Sequence, residues 1–179
     1  EPQESIEASL EINNDILIEN FQLRDFKKAI SLSKSLIKNN KNNVTAFTIL
    51  GLSLSSLGKI FEAENIYLDG LSKNPLSSDL CNNLSNLYLE KKDYNNANLY
   101  AQKAVLNNPN CSSSYYTLGI ALNACNKINE AISALKKSFQ LNKKNAPALL
   151  QLGNLYKDKK LFSKALDIYR KYQRLFPTH

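Results

Sequence analysis

The residues able to do covalent or metal chemistry are few and scattered. The single histidine, His179, ends the chain, so neither a Ser-His-Asp arrangement nor a histidine-bearing metal site has a base or ligand in its interior. Three cysteines, Cys81, Cys111 and Cys125, form no CxxC pair, and a zinc site needs about four thiol or imidazole ligands. Cys81 and Cys125 are read as small buried hydrophobes. Glu62 and Glu64 stand two apart, hence on different faces of a helix. No phosphate-cradling glycine motif and no HExxH occurs. The expectation is a chain with no catalytic residue, no metal and no cofactor.

What the chain does carry is amides. Asn82, Asn83, Asn86, Asn123, Gln151 and Asn154 fall between positions 82 and 154, with Tyr116, Thr117, Ile120 and Leu150 among them. A carboxamide offers both donors and an acceptor, so it can pair with the N–H and the C=O of an extended peptide. Asparagine is abundant elsewhere too, as in NNKNN at 39–43. Composition competes with function as its explanation.

The elements that position these residues are legible from periodicity. Units of 34 residues begin near Leu10, Val44, Ser78, Ser112 and Ala146. The seventh position holds Ile16, Leu50, Leu84, Leu118 and Leu152; the eighth holds Leu17, Gly51, Ser85, Gly119 and Gly153. Alanine fills the twentieth every time, at Ala29, Ala63, Ala97, Ala131 and Ala165. Apolar residues spaced three and four apart make one face of a first helix, and a second such set makes another. LGK at 57–59, KKD at 91–93 and DKK at 158–160 are polar turns, and Pro75, Pro109 and Pro177 halt second helices. Asn43, Ser77 and Asn145 stand where first helices need caps, Asp25 and Asp93 where second helices do. A repeat of this length signals helix pairs that bury their apolar faces only by stacking.

These residues resemble the tetratricopeptide repeat (TPR) family from about Leu10 onward. The pattern is a bulky fourth residue (Phe47, Cys81, Tyr115, Leu149), then Leu, a small residue, Tyr (Tyr88, Tyr156), Ala, an aromatic and Pro. Asn13, Leu17 and Asn20 depart from it, so an irregular first helix is expected there. The resemblance implies an all-α, right-handed solenoid of antiparallel helix pairs. The chain reads as a single domain over 1–179, with repeats 10–43, 44–77, 78–111, 112–145 and 146–179, and with 1–9 extending the first helix. It also implies a concave groove lined by first helices, which bind a peptide or partner protein. By offset the groove residues are Asn82, Asn83, Asn86, Tyr116, Thr117, Ile120, Asn123, Leu150, Gln151 and Asn154, with Glu11 and Asp79 nearer the start. Chaperone-binding members grip a terminal carboxylate with cations that the matching positions here lack.

Net charge is +7, and the lysines fall mostly on second helices and turns, where they read as a solvating coat. A basic stripe interleaved with aromatics, as nucleic-acid binding wants, is not seen. No apolar run reaches the ~20 residues that cross a bilayer. A cytoplasmic, reducing location is expected. The chain begins at Glu1 and contains no methionine, and is read as an excised piece of a longer protein. The leading function is a non-catalytic protein-interaction scaffold. The alternatives are the docking segment of a larger glycosyltransferase or sulfotransferase, and a self-assembling adaptor that dimerises through Ile168, Tyr172 and Leu175 on its last helix.

Overall fold

A computed structural model describes residues 13–177; the expected 1–9 extension, Leu10, Glu11 and His179 lie outside the described residues. Ten α-helices follow one another, and no strand occurs among the described residues. They are α1 (Asn14–Gln22), α2 (Phe26–Asn39), α3 (Val44–Ser56), α4 (Ile60–Lys73) and α5 (Ser78–Glu90), then α6 (Tyr94–Asn107), α7 (Ser112–Ala124), α8 (Ile128–Leu141), α9 (Ala146–Asp158) and α10 (Phe162–Leu175). Two compact units are distinguished, one ending at Ile66 and one beginning at Tyr67.

In the first unit α1 packs on α2 and α3, and α2 on α3. Its core gathers Leu17, Ala29, Leu36, Ala46 and Ile49, with Phe21, Leu32 and Ile37 at the margin. The irregular first helix takes a definite form. Asn13 stands outside the helix, and its side chain accepts hydrogen bonds from the Asp15 and Ile16 amides, so α1 begins at the fifth position of its repeat. Asn20 is buried and donates its amide to the Ile16 carbonyl at 2.7 Å. Two departures from the repeat pattern are thus a helix cap and a satisfied buried amide.

In the second unit α5 packs on α6, α7 on α8 and α9 on α10, while α6 meets α7 and α8 meets α9. Leu122, Leu135, Phe139, Leu149, Leu152, Leu155 and Tyr156 form one continuous core with the alanines Ala131, Ala148 and Ala165. The glycines at the eighth position show what that position does. A Cβ on Gly119 would lie 2.7 Å from Leu135 Cγ, and one on Gly153 would lie 2.6 Å from Tyr169 Cε1. The nearest obstacle in both cases is a second-helix side chain. Where that partner position holds Ala101, the eighth position holds Ser85, whose hydroxyl donates to the Ala97 carbonyl at 2.8 Å. In the first unit the balance is inverted: Leu17 faces a repeat whose equivalent second-helix residue is Ser33, and both are fully buried. Between these two repeats large and small exchange places.

The polar residues close the helices. Asn43, Ser77 and Asn145 accept from the amides of Ala46, Leu80 and Ala148, and Asp25 and Asp93 accept from those of Lys28 and Asn96. Every turn within a helix pair puts its fifteenth residue in the left-handed region: Arg24, Gly58, Lys92, Asn126 and Lys160. The next residue's amide reaches back to the carbonyl of the eleventh, as Asp93 does to Tyr88 and Leu161 to Tyr156, closing a Schellman motif. Turns between pairs are built on Asn40, Asn74, Asn108 and Asn142. Their carbonyls accept from the residue three ahead, and the side chains of Asn40, Asn108 and Asn142 also accept from the residue two ahead. Much of the asparagine content is therefore turn chemistry.

Candidate functional site

The first helices α5, α7 and α9 carry all ten residues expected to line a groove. Eight of them reach the surface. Asn86 and Asn123 are exposed, and Leu150 is 39% exposed. Asn83, Tyr116, Ile120, Gln151 and Asn154 are half-buried. The other two are not surface groups. Asn82 is 8% exposed and donates its amide to the Ser114 hydroxyl at 2.9 Å, linking α5 to α7; Thr117 is 4% exposed. Both differ from the expectation in the same way: these two side chains are shielded from solvent within the helix packing. Asn154 is partly committed too, since its Oδ1 accepts from the Tyr169 hydroxyl at 2.8 Å.

What remains is a mixed surface. Tyr116 is half-buried and packs against the edge of the second unit's core. Exposed Asp79 and Glu90 stand on α5, while Lys157 and Asp158 end α9. Together these residues offer hydrogen-bond donors and acceptors around apolar side chains.

The thiols differ in environment. Cys81 is buried, and desolvation pushes its pKa up. Cys111 occupies the cap position of α7 without a side-chain cap bond. Burial alone would raise its pKa, but hydrogen bonds with Ser113 and Ser114 outweigh that and hold it below its ordinary value. Cys125 is half-buried, not fully buried as read from sequence, with its sulfur 3.2 Å from the Tyr94 carbonyl. Among the described residues no three of His, Cys, Asp and Glu gather as a metal site would require, and no helix is long and apolar enough to cross a membrane.

The residues expected to leave an uncovered face on α10 divide. Ile168 and Tyr172 are half-buried against the core, Tyr172 contacting the Phe176 ring at 5.3 Å between centroids, and Leu175 is 42% exposed. Tyr169, Tyr172, Gln173, Phe176 and Pro177 line an open groove of about 550 Å³.

One arrangement was missed by sequence reasoning. Lys136 of α8 and Lys164 of α10 both lie over the Tyr156 ring, 5.8 and 6.0 Å from its centroid. Lys143 and Lys171 lie over the Phe139 ring, at 5.1 and 4.8 Å. Four of the lysines are thus seated on buried aromatic rings, which a purely solvating coat would not require. The available signal was the shared interval of seven residues between Lys136 and Lys143 and between Lys164 and Lys171.

Comparison with known proteins bears on the architecture. A search of curated proteins gives no match. Among solved structures the chain is similar to MamA, with 22% identity, a TM-score of 0.75, and coverage of 89% of this chain and 94% of that one. It is also similar to PilF of Pseudomonas aeruginosa, with 17% identity, a TM-score of 0.82, and coverage of 93% and 76%. A third is YrrB, described as a TPR protein with an unusual peptide-binding site, with 19% identity, a TM-score of 0.70, and coverage of 96% and 91%. At such identities the likeness speaks to fold, and the fold is the all-α helical-repeat solenoid expected from the sequence. The tetratricopeptide repeat profile itself matches residues 78–111, 112–145 and 146–179, more than half of the sequence. With the helix pairs, the recurring alanine and the left-handed turns accounted for residue by residue, this match makes the chain a member of the tetratricopeptide repeat family.

Proposed function

We propose that the chain is a protein-interaction scaffold that takes an extended peptide segment of a partner along the first-helix surface of α5, α7 and α9. The observation that carries the reading is the set of accessible amides on these helices, Asn83, Asn86, Asn123 and Gln151, around Tyr116, Ile120 and Leu150. Amides give backbone pairing without demanding a charge, and a half-buried tyrosine on the same helices as two accessible aliphatics offers one apolar anchor. Solenoids of this kind use such repeated surfaces for binding. YrrB, a protein of similar fold, is described as having a peptide-binding site, which supports a peptide as the ligand class.

Selection of short random peptides on the immobilised chain tests this. Recovered peptides should lose binding to the triple variant Asn83→Ala, Asn86→Ala, Tyr116→Ala by about tenfold or more, as for loss of a hot-spot residue. Its helical circular dichroism should be unchanged. Peptides that bind the variant as well as the parent would remove the groove from these helices.

A further inference from the structure

We propose that the lysine-bracketed face of α8 and α10 binds the acidic N-terminal segment, residues 1–12, of a second copy of the chain. This surface is separate from the peptide groove and does not depend on it. From Lys127 onward the sequence holds twelve Lys or Arg against three Asp or Glu. Residues 1–12 hold Glu1, Glu4, Glu7 and Glu11 and no basic residue, and the first basic side chain of the chain is Arg24. One end of the sequence is thus acidic and the other basic, and the two repel their own kind while attracting each other.

The aromatic rings turn this imbalance into a surface with a shape. A free surface lysine samples many rotamers and loses that freedom on pairing. Here each ammonium group already rests over a ring face within 6.0 Å, so part of that ordering precedes binding. The four lysines form two rungs. Along α10, Lys164 and Lys171 are separated by about 10.5 Å of helix rise. None of the four stands in an ion pair with an acidic side chain among the described residues. Glu4 and Glu11 repeat the seven-residue interval of the lysines, with Glu7 between them.

The same geometry argues for carboxylates over nucleobases. Tyr156 and Phe139 are 7% and 5% exposed, so their faces serve the lysines and offer no platform on which a base could stack. A contact between opposite ends of two copies is heterologous, so it repeats from copy to copy rather than closing on itself.

Sedimentation velocity of the 179-residue chain over a concentration series, at about 25 mM and about 500 mM salt, reads this directly, because screening lengths fall severalfold between them. The expected result is concentration-dependent association at low salt that weakens by about tenfold or more at high salt. Lys136→Glu, Lys143→Glu, Lys164→Glu and Lys171→Glu together should abolish it, and so should Glu4→Lys, Glu7→Lys and Glu11→Lys together. The two sets combined in one chain should restore it. A Lys→Gln version of the first set, checked for its melting temperature, serves if the reversal disturbs folding. Cross-linking of isotopically mixed chains should join residues 1–12 of one copy to α8 or α10 of another. The proposal falls if the chain stays monomeric at low salt, if either variant associates like the parent, if the combined variant is not restored, or if only intramolecular cross-links form. Binding to anionic lipid vesicles with self-association unchanged in the variants would equally overturn it.

Discussion

At the scale of single residues, the turns set a local cost that substitution can reveal. Arg24, Lys92, Asn126 and Lys160 occupy left-handed backbone with φ near 60°, a region that costs a residue bearing a Cβ about 1 kcal/mol and costs glycine little. Lys92→Gly should therefore raise stability by about 0.5–1 kcal/mol, read by chemical denaturation, with the opposite sign expected at a mid-helix position. The thiols give a second test. Cys111, held below its ordinary pKa by Ser113 and Ser114, should alkylate before Cys81, which is buried and raised; mass-resolved labelling at neutral pH checks the order. Asp93 supplies a pH dependence. Hydrogen bonds from the Asn96 side chain and amide hold its carboxylate below the ordinary value. A depressed folded pKa stabilises above the unfolded value, and that contribution disappears as pH falls through the folded one. Asp93→Asn should flatten the acid limb of the melting-temperature profile relative to the parent.

At the scale of elements, each pair of helices is fitted internally. Gly119 lies against Leu135, so Gly119→Ala should cost about 1–3 kcal/mol through overpacking, and Leu135→Ala in the same chain should return part of it. Measuring both single variants and the double variant by denaturation would show the coupling. Asn145 joins two jobs, capping α9 while donating to the Ser112 and Ser138 hydroxyls. The period, the caps and the turns were legible in the sequence because each is a local rule restated in several copies, so chance substitutions average out. The length of α1 was not. Asn13 could be read as a failed core residue or as a cap, and only the backbone shows that it starts the helix.

At the scale of the molecule, the surfaces were much less legible than the fold. An offset within the repeat fixes the direction of a side chain but not what lies across from it. Asn82, Tyr116 and Leu150 share one offset, and only Asn82 is sealed, because Ser114 on the neighbouring first helix meets it. The lysine brackets needed three helices to come together, and no window along the chain contains them. The ends of the molecule should also behave unequally. Of α10 only Ala165 is fully buried, against six residues of α8. Hydrogen exchange followed by mass spectrometry should find α10 losing protection first, with α7 and α8 the slowest part of the second unit.

The exchange of bulk between the eighth position and its second-helix partner decides how such a chain can be recombined. A helix transplanted alone would set Leu17 beside a leucine such as Leu135, or Gly119 beside a serine such as Ser33, giving a collision in one case and a hole in the other. A helix pair moved intact carries its own complement. For duplication, grafting or the assembly of longer arrays from this sequence, the indivisible module is therefore the two-helix hairpin, and its seams belong at the asparagine turns.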